Sequence, residues 1–235
     1  MSGDVTTDND PIILLDDVHL RLKGPAGDVN ILRGIDLTVA HGETVAVVGP
    51  SGSGKTTMMM VIAGLERPSA GLVRVAGTDL AGLDEDALAM FRRRAVGIIF
   101  QDFHLVPTMT ALENAAIPCE LAGMDDAFER AKDGLDAVGL GHRIAHYPAQ
   151  MSGGEQQRVA VARAFAAGPK LLLADEPTGN LDGATGDGVI EIMLSLREKF
   201  GTTLVLITHD QALGSRCGRE VRLDDGRIIS GQAAG

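Results

Sequence analysis

The chain has 235 residues and a formal net charge of −11, which argues against nonspecific nucleic-acid binding because that binding draws on clustered cations. Its two cysteines are too few for a disulfide framework and indicate a reducing compartment. The opening is polar and acidic, and no apolar run approaches the ~20 residues that span a bilayer. We therefore expect no secretory signal, a disordered tail over residues 1–10, and a soluble, cytoplasmic chain.

Residues 11–48 are predicted to form strands because apolar and polar residues alternate. The alternating runs are Ile12–Leu15, Val18–Leu22 and Ile31–Val39, with turns at Gly24-Pro25 and His41-Gly42. The next run, Glu43–Val48, is short, apolar and β-branched, as expected of a fully buried strand.

A phosphate-loop pattern follows this strand, consisting of two glycines five positions apart and then Lys and Thr. Its residues are Gly49, Pro50, Ser51, Gly52, Ser53, Gly54, Lys55 and Thr56, with Thr57 adjoining. Glycines allow backbone N–H groups to surround an anion, Lys55 can reach the β- and γ-phosphates, and the Thr56 hydroxyl can ligate Mg²⁺. A helix is predicted from Lys55 to Ala63, so the phosphates would lie at its positive end. The pattern predicts a nucleotide site.

The rest of the chain predicts an α/β fold with a helical segment in its middle. Strands are expected at 72–76 and Ala95–Phe100, and helical spacing dominates from Gln101 to about Gly168. Apolar strands then return at Lys170–Asp175 and Thr202–Thr208, with a helix over Thr185–Phe200 between them. Alternating strands and helices imply a parallel sheet with crossover helices. We predict one domain over 11–230, with a core of 11–100 and 169–230 and a helical insertion at about 101–168.

Four further features suit a nucleotide-driven protein. Asp175 and Glu176 end an apolar strand, where Asp175 can support Mg²⁺ and Glu176 can polarise a water molecule. Alone, they are more typical of a buried strand followed by an acidic turn, and the phosphate loop is what favours the functional interpretation. Ser152 and Glu155 form a capping-box pattern, and the glycines Gly153 and Gly154 between them offer a second anion site at a helix N-terminus.

His209 follows the last long strand, and Gln101 follows the strand Ala95–Phe100. Either residue by itself is more typical of a turn than of a catalytic group. The two residues become informative together with the phosphate loop, Ser152–Arg158 and Leu171–Glu176. In order and spacing, this set resembles an ATP-binding-cassette (ABC) ATPase over roughly residues 11–230. The stretch Asp175–Asp182 resembles the lipoprotein-releasing, macrolide-export and cell-division ATPases, and other stretches look closest to the YbbA-type members.

The resemblance implies a phosphate-loop NTPase (RecA-like) core with an antiparallel β subdomain and an inserted α-helical subdomain. It implies ATP and Mg²⁺ as ligands, the metal being held by Thr56, Gln101 and Asp175. It also implies catalysis by Glu176, with His209 contacting the γ-phosphate and Gln101 contacting the metal or the water.

The resemblance further implies a head-to-tail homodimer in which Ser152, Gly153 and Gly154 of one copy cap the ATP on the phosphate loop of the other. Asp182 would lie at the subunit contact. The partner would be an integral-membrane permease on a separate chain, so the ATPase would sit on the inner face of the bacterial cell membrane.

Two other classes stay open at this point. One is a signalling ATPase of the cell-division kind, which moves a periplasmic partner and transports nothing. The other is a nucleic-acid-associated or ribosome-associated cassette protein, which the acidic charge and the single cassette disfavour.

The chain departs from the family at the adenine position, because no Phe, Tyr or Trp precedes Phe91. Leu22 or Gly24 falls near the expected position, and His19 is the nearby π-system. Lost stacking is worth about 1 kcal/mol. We therefore expect weak base discrimination, with GTP hydrolysed at a rate near that of ATP.

Overall fold

The computed structural model describes residues 10–24 and 27–232, so the predicted tail lies almost wholly outside the described residues, as does part of the predicted turn at Gly24-Pro25. The strands are β1 Ile13–Gly24, β2 Gly27–Val39, β3 Thr44–Val48, β4 Ala70–Val75, β5 Thr78–Asp79, β6 Val96–Ile99, β7 Leu171–Asp175, β8 Thr203–Ile207, β9 Arg219–Asp224 and β10 Arg227–Gln232. The helices are α1 Lys55–Ile62, α2 Glu85–Ala95, α3 Ala111–Leu121, α4 Ala127–Ala137, α5 Gly153–Ala166, α6 Gly183–Phe200 and α7 Gln211–Gly214.

The chain divides into two compact units, which are described separately. The first unit comprises residues 1–88 and 205–235, and the second comprises residues 89–204. The boundaries fall within α2 and within β8. The sequence-based division into a core and an insertion uses different boundaries, and it stays a prediction.

The first unit contains an antiparallel sheet of strand order β2-β1-β4-β5. Its longest ladder pairs β1 with β2, from Ile13 opposite Val39 to Gly24 opposite Gly27. The two short strands predicted before Gly24 are one strand with an irregularity between Leu15 and Val18. Asp17 lies at that irregularity with a φ of 47°, as expected where an extra residue bends a strand.

The first unit also contains strands of a second sheet. Their order across the sheet is β10, β9, β3 and then β8, of which residues 205–207 belong to this unit. β3 pairs with β9 in parallel, Val45 opposite Arg219 and Val48 opposite Arg222, and four of the five β3 residues are buried. Burial on both faces explains why β3 is a continuous apolar run. β3 leads through residues 49–54 into α1, as the phosphate-loop prediction requires. The sequence reading did not identify β9 and β10, which pair as an antiparallel hairpin.

The second unit pairs β6 with β7 in parallel, from Val96 opposite Leu171 to Ile99 opposite Ala174. Helices α3, α4 and α5 pack against one another, and one residue from each, Cys119, Ala127 and Ala166, forms a cluster of small buried side chains. The predicted helical texture of this stretch is therefore present. Within the described residues, no helix is long and apolar enough to cross a membrane.

Candidate nucleotide site

The phosphate loop in the first unit is held against the chain by close backbone packing at its first glycine. A Cβ on Gly49 would lie 2.0 Å from the backbone oxygen of Leu223 in β9, so no larger residue fits there without moving the strand. At the other end of the loop, Gly54 has a φ of 103° and occupies the N-cap position of α1. These two positions fix where the loop leaves β3 and where it enters the helix.

The polar groups of this loop suit an anion. The N-cap of α1 is Gly54, which has no side chain to cap the helix, and the positive end of the helix dipole lies at this loop. Lys55 is 8% exposed, and its Nζ donates to the backbone oxygens of Gly49 and Pro50 at 2.9 Å each. The Oγ of Ser53 is buried and has no hydrogen-bond partner among the described residues. A buried hydroxyl without a partner is rare, and a phosphate oxygen would satisfy it.

The remaining loop residues line the open side. Ser51, Gly52 and Thr56 are exposed, and Thr57 is half-buried. His209 is also in the first unit, as an exposed residue between β8 and α7. Its neighbours are fixed: the backbone N–H of buried Thr208 donates to the oxygen of Val47 at 3.2 Å, and the carboxylate of Asp210 caps α7.

The acidic strand end in the second unit has an unusual backbone conformation. β7 is buried up to Ala174, and Asp175 and Glu176 at its end are half-buried. Glu176 has a φ of 47°, which lies in the left-handed region. This region is energetically unfavourable for any residue that has a Cβ. Such conformations persist where the surroundings impose them, and they concentrate at functional sites.

Gln157 of α5 connects the ends of the two paired strands in the second unit. Its side chain is fully buried, and its Nε2 donates to the oxygen of Phe100 after β6 at 3.3 Å and to the oxygen of Pro177 after β7 at 2.5 Å. These carbonyls belong to the neighbours of Gln101 and Glu176, so Gln157 fixes the backbone beside both predicted site residues.

Ser152, Gly153 and Gly154 stand at the N-terminus of α5, and the predicted capping box is present. The Ser152 Oγ accepts from the backbone N–H of Glu155 at 3.3 Å, and Glu155 accepts from the backbone N–H of Ser152 at 2.8 Å. The bond from the Ser152 backbone, reinforced by the positive charge of Arg143 at 3.3 Å, lowers the pKa of the Glu155 carboxyl. Ser152 itself is exposed, so its hydroxyl stands at the open N-terminus of α5.

Asp182 and Gln101 also lie in the second unit. Asp182 is the N-cap of α6, and the bond it accepts from the backbone N–H of Thr185 lowers the pKa of its carboxyl. Gln101 is exposed, and its side-chain amide contacts Asn180 at 3.3 Å. The sequence did not mark Asn180 or Gln157, because their partners are distant in the chain and leave no local signal.

The predicted site residues thus divide between the units. The phosphate loop and His209 belong to the first, and Gln101, Ser152–Gly154, Asp175, Glu176 and Asp182 belong to the second. Among the residues that the structure describes, no group of three or more His, Cys, Asp or Glu side chains could form a metal cage. The predicted metal ligands offer hydroxyl, amide and carboxylate oxygens, a donor set that suits Mg²⁺ held mainly by phosphates and water.

Comparison with known proteins decides the family. The sequence model of the ABC transporter family matches residues 32–179, more than half of the chain. The chain belongs to the ABC transporter ATP-binding family. It is 52% identical over 204 residues to the lipoprotein-releasing system ATP-binding protein LolD of Geobacter metallireducens, covering 86% of this chain and 91% of that protein. It is 50% identical over 214 residues to the uncharacterized ABC transporter ATP-binding protein YbbA of Escherichia coli, covering 89% and 94%.

A solved structure agrees with the assigned fold. The dimeric, post-hydrolysis structure of the ATP-binding cassette MJ0796 bound to ADP and Pi matches with a TM-score of 0.87 at 35% identity, covering 95% of this chain and 99% of that one. The predicted fold class and the ABC ATPase assignment are confirmed. The relatives favour a transporter subunit over the signalling alternative.

Proposed function

We propose that this chain hydrolyses ATP to ADP and phosphate and uses the cycle to drive a membrane permease encoded on a separate chain. The observation that carries the proposal is the phosphate loop, which combines an uncapped helix N-terminus, the amine of Lys55 and the unpartnered hydroxyl of Ser53. All three can donate to an anion once Lys55 exchanges its carbonyl acceptors, and a nucleoside triphosphate supplies the acceptor oxygens.

In this mechanism the loop binds the phosphates and Lys55 exchanges its carbonyl contacts for the β- and γ-phosphate oxygens. Ser53 donates its hydroxyl hydrogen to a phosphate oxygen, which removes the cost of the buried hydroxyl. Thr56, Gln101 and Asp175 are the residues that would hold Mg²⁺, which when bound neutralises charge on the phosphate oxygens.

The chemical step belongs to Glu176 and His209. Glu176 accepts a proton from water as the water oxygen attacks the γ-phosphorus and the bond to the bridging oxygen of ADP breaks. The left-handed backbone at Glu176 supports this role, because such conformations concentrate at functional sites and this one stands at the end of a buried strand. His209 contacts a γ-phosphate oxygen and orients the attacking water.

We extend the proposal to the assembly. Ser152, Gly153 and Gly154 would bind the γ-phosphate held by a second copy, with Asp182 at the contact between the copies. The dimeric cassette that matches this chain supports that arrangement. Two ATP molecules would bridge the copies, and loss of the γ-phosphate would let them separate.

The permease would dock near Gln101–Pro118, with residues 101–168 acting as the helical insertion that receives it. This docking places the chain on the inner face of the cell membrane. The relatives named for lipoprotein release favour an export role.

A binding experiment with a matched lysine control tests the proposal. In Lys55→Ala we expect ATP affinity to fall at least about 100-fold, because a buried charge-assisted contact to phosphate is lost. Lys132→Ala removes an exposed lysine of α4 and should leave affinity and turnover unchanged. Isothermal titration with ATP and a phosphate-release assay measure both. Equal ATP affinity in the two variants would contradict the proposal.

A further inference from the structure

The amide of Gln101 is held in one orientation by side chains that the family roles above do not use. We infer that Asn180 and Asp102 are positioning residues, which direct the Gln101 side-chain oxygen rather than its nitrogen toward the metal. This inference rests on the proposed function, because it assumes the role given there to Gln101.

Three hydrogen bonds in the second unit carry the inference. Gln101 Nε2 donates to Asn180 Oδ1 at 3.3 Å. Asn180 Nδ2 donates to the backbone oxygen of Gln101 at 3.2 Å and to Asp102 Oδ1 at 2.8 Å. Asn180 therefore contacts both the side chain and the backbone of Gln101, although the two residues are 79 positions apart in the chain.

The chemistry of these partners removes the ambiguity that normally attends a side-chain amide. An amide has one end that donates and one that accepts, and rotation by half a turn exchanges them. The Asp102 carboxylate and the Gln101 carbonyl accept and cannot donate, so the Asn180 nitrogen must face them. The Asn180 oxygen then faces Gln101, whose nitrogen must donate to it.

The consequence concerns Gln101 Oε1. A divalent cation is ligated by the oxygen of a glutamine and repelled by its NH₂ group. With Nε2 committed to Asn180, Oε1 is the end that remains for the cation. Without Asn180, Gln101 would place its nitrogen there for part of the time, and that fraction would be unproductive.

Packing beside the contact favours the same arrangement. A Cβ on Gly179 would lie 2.8 Å from Gln101 Nε2 and 3.0 Å from its Cδ, so the chain next to Asn180 approaches the amide as closely as a glycine permits. The side chain of Gln101 is thereby held between the backbone of Gly179 and the side chain of Asn180.

Metal affinity tests the orientation directly. The full chain is saturated with a non-hydrolysable ATP analogue, and Mn²⁺ binding is followed by the electron paramagnetic resonance signal of free Mn²⁺. We expect Gln101→Ala and Asn180→Ala each to weaken Mn²⁺ binding about 10-fold, as loss of a supporting hydrogen bond does at other metal sites. Asp187→Asn alters an exposed carboxylate of α6 and serves as the charge control.

An exchange of the two partners separates orientation from simple stability. Asn180→Asp places two carboxylates side by side and should weaken Mn²⁺ binding at least as much as Asn180→Ala. Combining it with Asp102→Asn restores a donor opposite the new carboxylate, which still accepts from Gln101 Nε2. The bond to the Gln101 backbone oxygen stays lost, so recovery to the affinity of the unchanged chain is not expected. Mn²⁺ affinity should then recover several-fold relative to Asn180→Asp alone, a non-additivity that residues in one network show.

The outcomes are distinguishable. If Gln101→Ala weakens Mn²⁺ binding and Asn180→Ala does not, the orienting role of Asn180 is wrong and the proposed function stands. If Gln101→Ala leaves Mn²⁺ binding unchanged, the role of Gln101 in the proposed function is wrong, and the inference with it. If the double variant stays as weak as Asn180→Asp, the contact is structural and the inference is wrong.

Discussion

The phosphate loop of the first unit and the Gln101–Asn180 contact of the second unit are built in different ways. The loop draws its donors from a single run of eight residues, and most of them are backbone groups or the adjacent Lys55. The Gln101 contact joins side chains that lie 79 positions apart. The donors for an anion at this loop are therefore local in sequence, whereas the placement of Gln101 depends on a contact between distant segments of the second unit.

The largest expected effect separates chemistry from binding in the second unit. Glu176→Gln should lower turnover about 1,000-fold, because the amide cannot accept the proton of the attacking water. ATP affinity should stay within about threefold, since the phosphates are held by the loop. Single-turnover phosphate release and ATP titration measure the two quantities. Glu198→Gln, at an exposed position of α6, is the control; a matching loss of turnover there would remove the special role of Glu176.

A smaller effect is expected at the unpartnered hydroxyl of the loop. Ser53→Ala should weaken ATP binding about 10-fold, the loss of one hydrogen bond to a charged group. The nucleotide-free protein should unfold at the same temperature or higher, because the variant no longer buries a hydroxyl without a partner. Thermal melts with and without ATP test this difference. A lower unfolding temperature without nucleotide would show that Ser53 has a partner in the free protein.

Two capping boxes in the second unit allow a structural role to be separated from a functional one. Thr110 and Glu113 cap α3 in the same way that Ser152 and Glu155 cap α5. Thr110→Ala and Ser152→Ala should each lower the free energy of unfolding by about 1 kcal/mol. Only Ser152→Ala should also lower ATPase activity, since its hydroxyl would serve the γ-phosphate. Equal losses of ATPase activity in both variants would show that Ser152 acts only as a helix cap, which would contradict its role at the γ-phosphate.

The smallest effect is a dependence of stability on pH from the same boxes. The pKa of the Glu113 carboxyl is lowered by the hydrogen bonds from the backbone and side chain of Thr110, and the pKa of Glu155 is lowered chiefly by the bond from Ser152. A carboxyl whose folded pKa is depressed stabilises the fold above its unfolded pKa, near 4.3, and loses that contribution as pH falls through the folded value. Urea unfolding between pH 6 and about pH 3 should therefore show a smaller decline in Thr110→Ala and Ser152→Ala than in the unchanged chain.

The sequence predicted those parts whose signal is local. The phosphate loop, β3, β7 and β8 were placed within one or two residues, because buried parallel strands are continuous apolar runs and the loop has a fixed spacing. The capping box at Ser152 was also visible, since its partners are three residues apart. The hairpin of β9 and β10 was not identified, although β9 alternates the buried Val221 and Leu223 with charged residues, a pattern that itself predicts a strand.

Contacts between segments that are distant in the chain could not be predicted from the sequence. Gln157 binds two carbonyls, and every residue of the chain has a carbonyl, so nothing in the sequence marks Phe100 or Pro177 as its partners. The same holds for Asn114, which is fully buried and donates to the oxygens of Val106, Met109 and Thr110. The positive φ of Glu176 also had no sequence signal, because surrounding structure imposes it.

The central claim is that ATP binding by this chain engages a membrane permease. Its most direct test is affinity purification of Glu176→Gln from detergent-solubilised native membranes in the presence of ATP, with Lys55→Ala as the matched control and mass spectrometry of the proteins that co-purify. The account predicts a multi-span membrane protein with Glu176→Gln and much less of it with Lys55→Ala. Recovery of soluble partners alone, or equal recovery of the membrane protein with both variants, would contradict it.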